Sequence, residues 1–120
     1  MTDPELRAAD AVVAKALGWR PGTEWWRELA SHEWQFHHGG PPAYVSGGDW
    51  RLWGEMIEAF RKAGWFPRID LELALFTDAT ITLRQLGRQL VERGATVGEA
   101  LYLAGAAAGL WPAVADERGE

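Results

Sequence analysis

The chain has 120 residues, 48% of them hydrophobic, and a net charge of −5. That is apolar material for one core in a single domain spanning residues 1–120. The acidic balance argues against a general nucleic-acid binder, which needs a basic surface, and against attachment to anionic lipid. The lack of cysteine excludes disulfides, cysteine-liganded zinc and thiol catalysis.

No apolar run approaches the ~18 residues of a membrane span. The start, MTDPEL, lacks the basic and apolar regions of a signal peptide. A cytoplasmic protein is expected, in the host cytoplasm if a phage encodes it. Eight tryptophans occur, at 19, 25, 26, 34, 50, 53, 65 and 111. Core filling is the common use of any one of them, but one small core does not hold all eight. Some are therefore expected to face a partner subunit or a ligand.

In chain order, residues 3–17 predict a helix, with Asp3 as cap, Pro4 at the first helical position and Thr2–Glu5 at capping-box spacing. Leu6, Ala9, Val13, Ala16 and Leu17 mark its buried face, and Gly18 ends it. GWRPG is a turn. TEWWRELASH, from Thr23 to His32, suits either a short helix or an irregular aromatic loop.

Residues 33–38 predict a strand with Trp34 and Phe36 on one face and Glu33, Gln35 and His37 on the other. The two aromatics are the expected core or interface anchors. GGPP (39–42) breaks this strand, and Ala43, Tyr44 and Val45 predict a second short one, held to an edge by Pro41 and Pro42. Asp49 caps a helix over 50–63, with Leu52 or Trp53, Met56, Ile57 and Phe60 inward. Glu55, Glu58, Arg61 and Lys62 form its wet face, and Gly64 stops it.

RIDLELALF (68–76) alternates cleanly and predicts a strand with one face on the core. TDA is read as a turn, with 80–83 pairing back as a hairpin and the strand ending near 84. Residues 84–93 suit either helical spacing or a continued hairpin. The last helix is expected over 97–110, opened by a Thr96–Glu99 capping box, and 110–120, ending DERGE, is expected to fray. The order predicts an α+β domain: a small antiparallel or mixed sheet with helices packed on it.

Three stretches carry a resemblance: DAVVAKALGW (10–19), PAYVSGGDWRLWGEMIEAF (42–60) and ATVGEALYLAGAA (95–107). Together the chain resembles the phage ABA sandwich domain family, small proteins of bacteriophages and prophages. The family's serine with a tryptophan seven residues on matches Ser46 and Trp53. Val45 separates Tyr44 from Ser46 where the family joins Tyr to Ser, and residues between Trp19 and Pro41 match no family motif. The resemblance implies an α-β-α layered sandwich and a phage origin. It implies no enzymatic activity and supplies no catalytic residue.

All three histidines fall in HEWQFHHG, from His32 to Gly39. His32, Glu33, His37 and His38 are candidate metal ligands, yet strand alternation splits the histidines between faces, whereas a helix would set Glu33 beside His37 at i,i+4. The second histidine falls one residue late for HExxH. No metal or cofactor is expected. Ser31 beside His32 is sequence adjacency and not triad geometry, Ser46 is outside a G-x-S-x-G elbow, and the glycine pairs 39–40 and 47–48 fit no phosphate loop.

Trp25, Trp26, Trp34, Tyr44, Trp50 and Trp53, with Arg27 and Arg51 interleaved, surround GGPP in sequence. Such a set can stack a base and hold a phosphate, or pack a loop and form a dimer contact. The preferred expectation is a non-enzymatic phage or prophage accessory protein that acts by binding, as a homo-oligomer. One alternative is a nucleotide-like or small-molecule sequestering protein that counters host defence. Another is a metal-dependent hydrolase using the His32–His38 window.

Overall fold

The computed structural model describes residues 1–72 and 78–114. Along the chain run α1 (Asp3–Ala16), β1 (Trp25–Glu28), β2 (Trp34–His37), α2 (Trp50–Lys62), β3 (Phe66–Glu72), β4 (Asp78–Gln85), β5 (Arg88–Gly94) and α3 (Val97–Ala107). The protein is α+β, as the element order predicts. The strands divide into two antiparallel sheets, β1–β2 and β3–β4–β5.

The helix starts follow the sequence signals. Thr2, and not Asp3, caps α1, with a complete capping box to Glu5. Asp49 caps α2 by accepting from the Arg51 N–H at 2.9 Å. Thr96 caps α3 by accepting from the Glu99 N–H, while the Glu99 carboxylate takes the chain's N-terminal ammonium at 3.2 Å. All three helices also end alike. Gly18, Gly64 and Gly109 take left-handed φ of +96°, +87° and +79°. The next N–H (Trp19, Trp65, Leu110) then donates back to Ala14, Phe60 and Gly105 at 2.9 Å each. This is the Schellman closure, which a glycine makes without steric cost and which turns an apolar residue back onto the helix. Trp19 and Trp65 are both buried in this way.

In the larger sheet β4 is central, and Ala79, Ile81 and Leu83 are fully buried on its inner face. Ile69 of β3 and Leu90 of β5 flank them in register. β3 itself is an edge, so its predicted core face is only partly covered: Leu71 is 47% exposed. The rest of the predicted strand and its turn, residues 73–77, lies outside the described residues. The open reading of 84–93 resolves as a hairpin, with Gln85 opposite Arg88 and Gly87 at φ +76° in the turn. α3 lies on the inner face of this sheet, so closely that a Cβ on Gly94 would stand 2.6 Å from the Ala100 nitrogen. The fray expected over 110–120 does not hold for its described part, since Trp111 and Val114 are buried and the Trp111 indole donates to the Tyr102 carbonyl at 2.8 Å; residues 115–120 lie outside the described residues.

Residues 43–45, predicted as a strand, form a buried turn instead. Its cause is Asp10, a fully buried carboxylate on the inward face of α1. Asp10 accepts from the Val45 N–H (2.7 Å), the Ser46 N–H (2.9 Å), the Ser46 hydroxyl (2.5 Å) and the Arg7 guanidinium (2.6 Å). A buried charge is tolerable only when satisfied to this degree. The turn then meets the other helices. The Trp53 indole of α2 donates to the Tyr44 carbonyl at 3.1 Å. Gly98 of α3 gives room for the turn, for its missing Cβ would stand 2.6 Å from the Val45 carbonyl oxygen.

Asp10→Ala strands the buried Val45 N–H, the part-buried Ser46 N–H and the Ser46 hydroxyl. It is expected to cost on the order of 3 kcal/mol, read as a lower urea midpoint with an unchanged m-value. Asp10→Asn, which keeps the shape and one acceptor, should recover part of the loss.

Candidate functional site

TEWWRELASH, expected as a short helix or an irregular aromatic loop, holds a strand and a tight turn. Its Trp25–Glu28 segment is β1, paired antiparallel with β2 so that Trp25 faces His37, Trp26 faces Phe36, Arg27 faces Gln35 and Glu28 faces Trp34. The connection is a tight turn: the His32 N–H donates to the Leu29 carbonyl at 2.9 Å, and the Leu29 N–H to the Glu33 carbonyl at 2.7 Å. His32 stands at φ +67°, the left-handed residue that such three-residue hairpin loops require. On its far side β1 is closed by a bridge in which Trp26 and Arg20 exchange both main-chain hydrogen bonds.

The two faces of this ribbon are reversed from expectation. The polar side chains of Arg27, Gln35 and His37, with Trp25, face the body of the protein, while Trp34 and Phe36 are 56% and 58% exposed. They are therefore not core anchors. The reason is the wall that the ribbon meets, which is polar. Arg27 donates to Glu55 of α2 at 2.6 Å and to Gln35 at 2.8 Å, and its guanidinium lies 4.6 Å from the Trp19 ring centroid. The buried Tyr44 hydroxyl donates to the same Glu55 oxygen at 2.8 Å and accepts from the Trp19 indole at 2.9 Å. Glu55, read as part of a wet helix face, is thus the acceptor that joins ribbon, turn and α2.

Charge in this wall is fixed by its surroundings. Burial, then the hydrogen bond and negative charge of Glu55, push the Tyr44 phenol well above its ordinary range. Burial works against the charge of Arg27, but its contacts with Glu55 and Tyr44 outweigh that and hold its pKa above the usual value. The wall separates two clefts. One, of about 680 Å³, runs between the end of α1 and α2 and is lined by Leu17, Arg27, Glu55 and Lys62. The other, of about 340 Å³, opens under β2 and is lined by Phe36, His37, Asp49, Arg51 and Glu55.

On the outer face Trp26 and Trp34 pack with ring centroids 5.0 Å apart, and Arg20 lies 4.9 Å over Trp26. The structure therefore divides the aromatic set predicted from sequence. Trp25, Tyr44 and Trp53 are buried, Trp26 and Trp34 stack on the ribbon surface, and Trp50 is 62% exposed at the start of α2. Arg27 is internal to the wall, and Arg51 is solvent-facing and paired with Asp49 at 3.2 Å.

The candidate metal ligands do not converge. His32 pairs with Glu28, His38 with Glu24, and the His37 ring nitrogen lies 2.9 Å from the Gly40 carbonyl, while Glu33 is exposed. No group of three or more such side chains among the described residues could hold a metal ion. Nor is any described helix long and apolar enough to cross a membrane.

The Tyr44 phenol stays protonated in the fold while an unfolded chain releases its proton above about pH 10. Its contribution is complete below that pH and is lost as pH rises toward the folded value. Wild-type stability should therefore fall more steeply above about pH 10 than that of Tyr44→Phe, by at most about 1.4 kcal/mol per pH unit, in urea titrations at a series of pH values. No family model, curated protein or solved structure matches the chain.

Proposed function

We propose that this chain is a non-enzymatic binding protein that self-associates through its β1–β2 ribbon, in the phage or prophage accessory setting that the resemblance implies. One observation carries the reading: Trp34 and Phe36 are each more than half exposed on a two-stranded ribbon whose other face is held by the Arg27–Glu55–Tyr44 wall. Exposed aromatics on a rigid support are the usual anchors of protein contacts. The polar wall is structural, because each of its members is spent on another.

The expected outcome is a mass above the monomer in light scattering of the wild type, with Trp34→Ala/Phe36→Ala restoring the monomer at unchanged far-ultraviolet circular dichroism. A wild type that stays monomeric at high concentration overturns the reading.

A second reading has its own observation, the cleft of about 340 Å³ whose lining includes Trp19, His37 and Arg51. A volume of this order suits a small ligand, and an aromatic lining beside an arginine suits a nucleotide. The expected signal is quenching of tryptophan fluorescence by mononucleotides or cyclic dinucleotides, weakened at least fivefold in Arg51→Ala. Absence of quenching and of any thermal shift across that panel counts against it.

A further inference from the structure

The free edge of β2 has features that the other outer strands of the described structure lack. The main-chain N–H and C=O of Trp26 are both committed to Arg20. Since these groups alternate along an antiparallel strand, the β1–β2 bonds fall at Trp25–His37 and Arg27–Gln35. The N–H and C=O groups of Trp34 and Phe36 therefore point away from β1, toward the open side, where no described residue meets them. Sheet edges are normally guarded by charge, proline or a cover. In the larger sheet, β3 carries Pro67 and β5 carries Arg88, Glu92 and Arg93. Strand β2, Trp-Gln-Phe-His, has no proline, lysine or carboxylate.

The sequence across this edge complements itself when reversed. Centred on Gln35, Glu33-Trp34-Gln35-Phe36-His37 places glutamate opposite histidine, tryptophan opposite phenylalanine, and glutamine opposite glutamine. We propose that β2 pairs with the β2 of a second copy of this chain, antiparallel and in this register, to make one continuous four-stranded ribbon sheet. Trp34 and the partner's Phe36 then exchange main-chain hydrogen bonds using the groups left free, and so do Phe36 and the partner's Trp34. On the outer face each tryptophan lies beside a phenylalanine, a favourable cross-strand pair. On the inner face Glu33 lies opposite His37 of the partner subunit, which avoids the Glu33–Glu33 repulsion that a parallel in-register alignment would set up. Such edge addition takes its affinity from main-chain bonds and its register from side chains.

The inference rests on the self-association reading and adds to it the edge and the register. In this register Gln35 falls at the twofold axis in a non-hydrogen-bonded pair, where Cα atoms stand ~4.5 Å apart, within disulfide reach. The chain has no native cysteine, so Gln35→Cys in the full chain reports this contact alone. Leu86→Cys, in the fully exposed turn of the larger sheet, is the collision control. With added oxidised glutathione, Gln35→Cys should form a covalent dimer at least about tenfold faster than Leu86→Cys, because pairing raises the local thiol concentration.

His37→Glu added to Gln35→Cys should slow the crosslink by setting the new carboxylate against Glu33 of the partner subunit, a like-charge pair directly opposite. If light scattering finds the wild type oligomeric but Gln35→Cys crosslinks no faster than the control, the edge and register are overturned and self-association stands. A monomeric wild type without preferential crosslinking overturns both.

Discussion

The fold depends on a carboxylate that touches no solvent. Asp10 holds the turn at Tyr44–Ser46 against α1 through two main-chain N–H groups and a hydroxyl. That turn is where the three helices meet: α1 supplies Asp10, α2 brings the Trp53 indole, and α3 gives way at Gly98. A turn in this position would otherwise bury unpaired main-chain groups, each costing ~1–3 kcal/mol. Once it is fixed, the Tyr44 side chain has one direction to take. Its hydroxyl then sets the position of Glu55, and through Glu55 that of Arg27 and the ribbon. Each link is a short, charge-assisted or buried hydrogen bond, the kind whose strength rises as water is excluded.

This chain of contacts also explains why the aromatics of β2 face outward. A strand whose neighbour is aliphatic buries its apolar face. The neighbour of β2 is Glu55, Arg27 and the edge of Trp19, so Gln35 and His37 are the side chains that find partners on that face. Five of the eight tryptophans are buried, at 19, 25, 53, 65 and 111. Trp34, Trp50 and the half-covered Trp26 are left for the surface. The compositional excess is thus largely a core and helix-end property, with a smaller remainder available for contacts.

Much of the scaffold was legible in sequence because its signals are local. The Thr2–Glu5 box, Asp49, Gly64 and Thr96 act within one helical turn, and each does what its position predicts. What escaped were features whose cause is distant in the chain. The turn at 43–45 reads as a strand until a carboxylate 35 residues away is counted. A signal for Asp10 did exist: it lies four residues after Leu6, in the apolar stripe, where an unpaired acid is costly. β1 escaped because Trp25 and Trp26 are adjacent and hide the alternation that marks a strand. Glu55 follows helical spacing for the wet face, and nothing local tells that Tyr44 and Arg27 converge on it. The aromatic set around GGPP was visible as composition, but its split between interior and surface is a property of tertiary contact alone.

The shared ending of the three helices bears on how the molecule comes apart. Helix termini usually fray, because their last carbonyls bond only to water. Here the residue after each closing glycine is apolar, and at Trp19 and Trp65 it is sealed in the core. Opening the last turn of α1 or α2 means withdrawing an indole from its packing, and for Trp19 also breaking its bond to Tyr44. The weak points of ordinary helices are thereby moved into the most cooperative part of the protein. The ribbon turn at 29–32 has no such seal: it is held by two main-chain bonds and a histidine in a left-handed conformation.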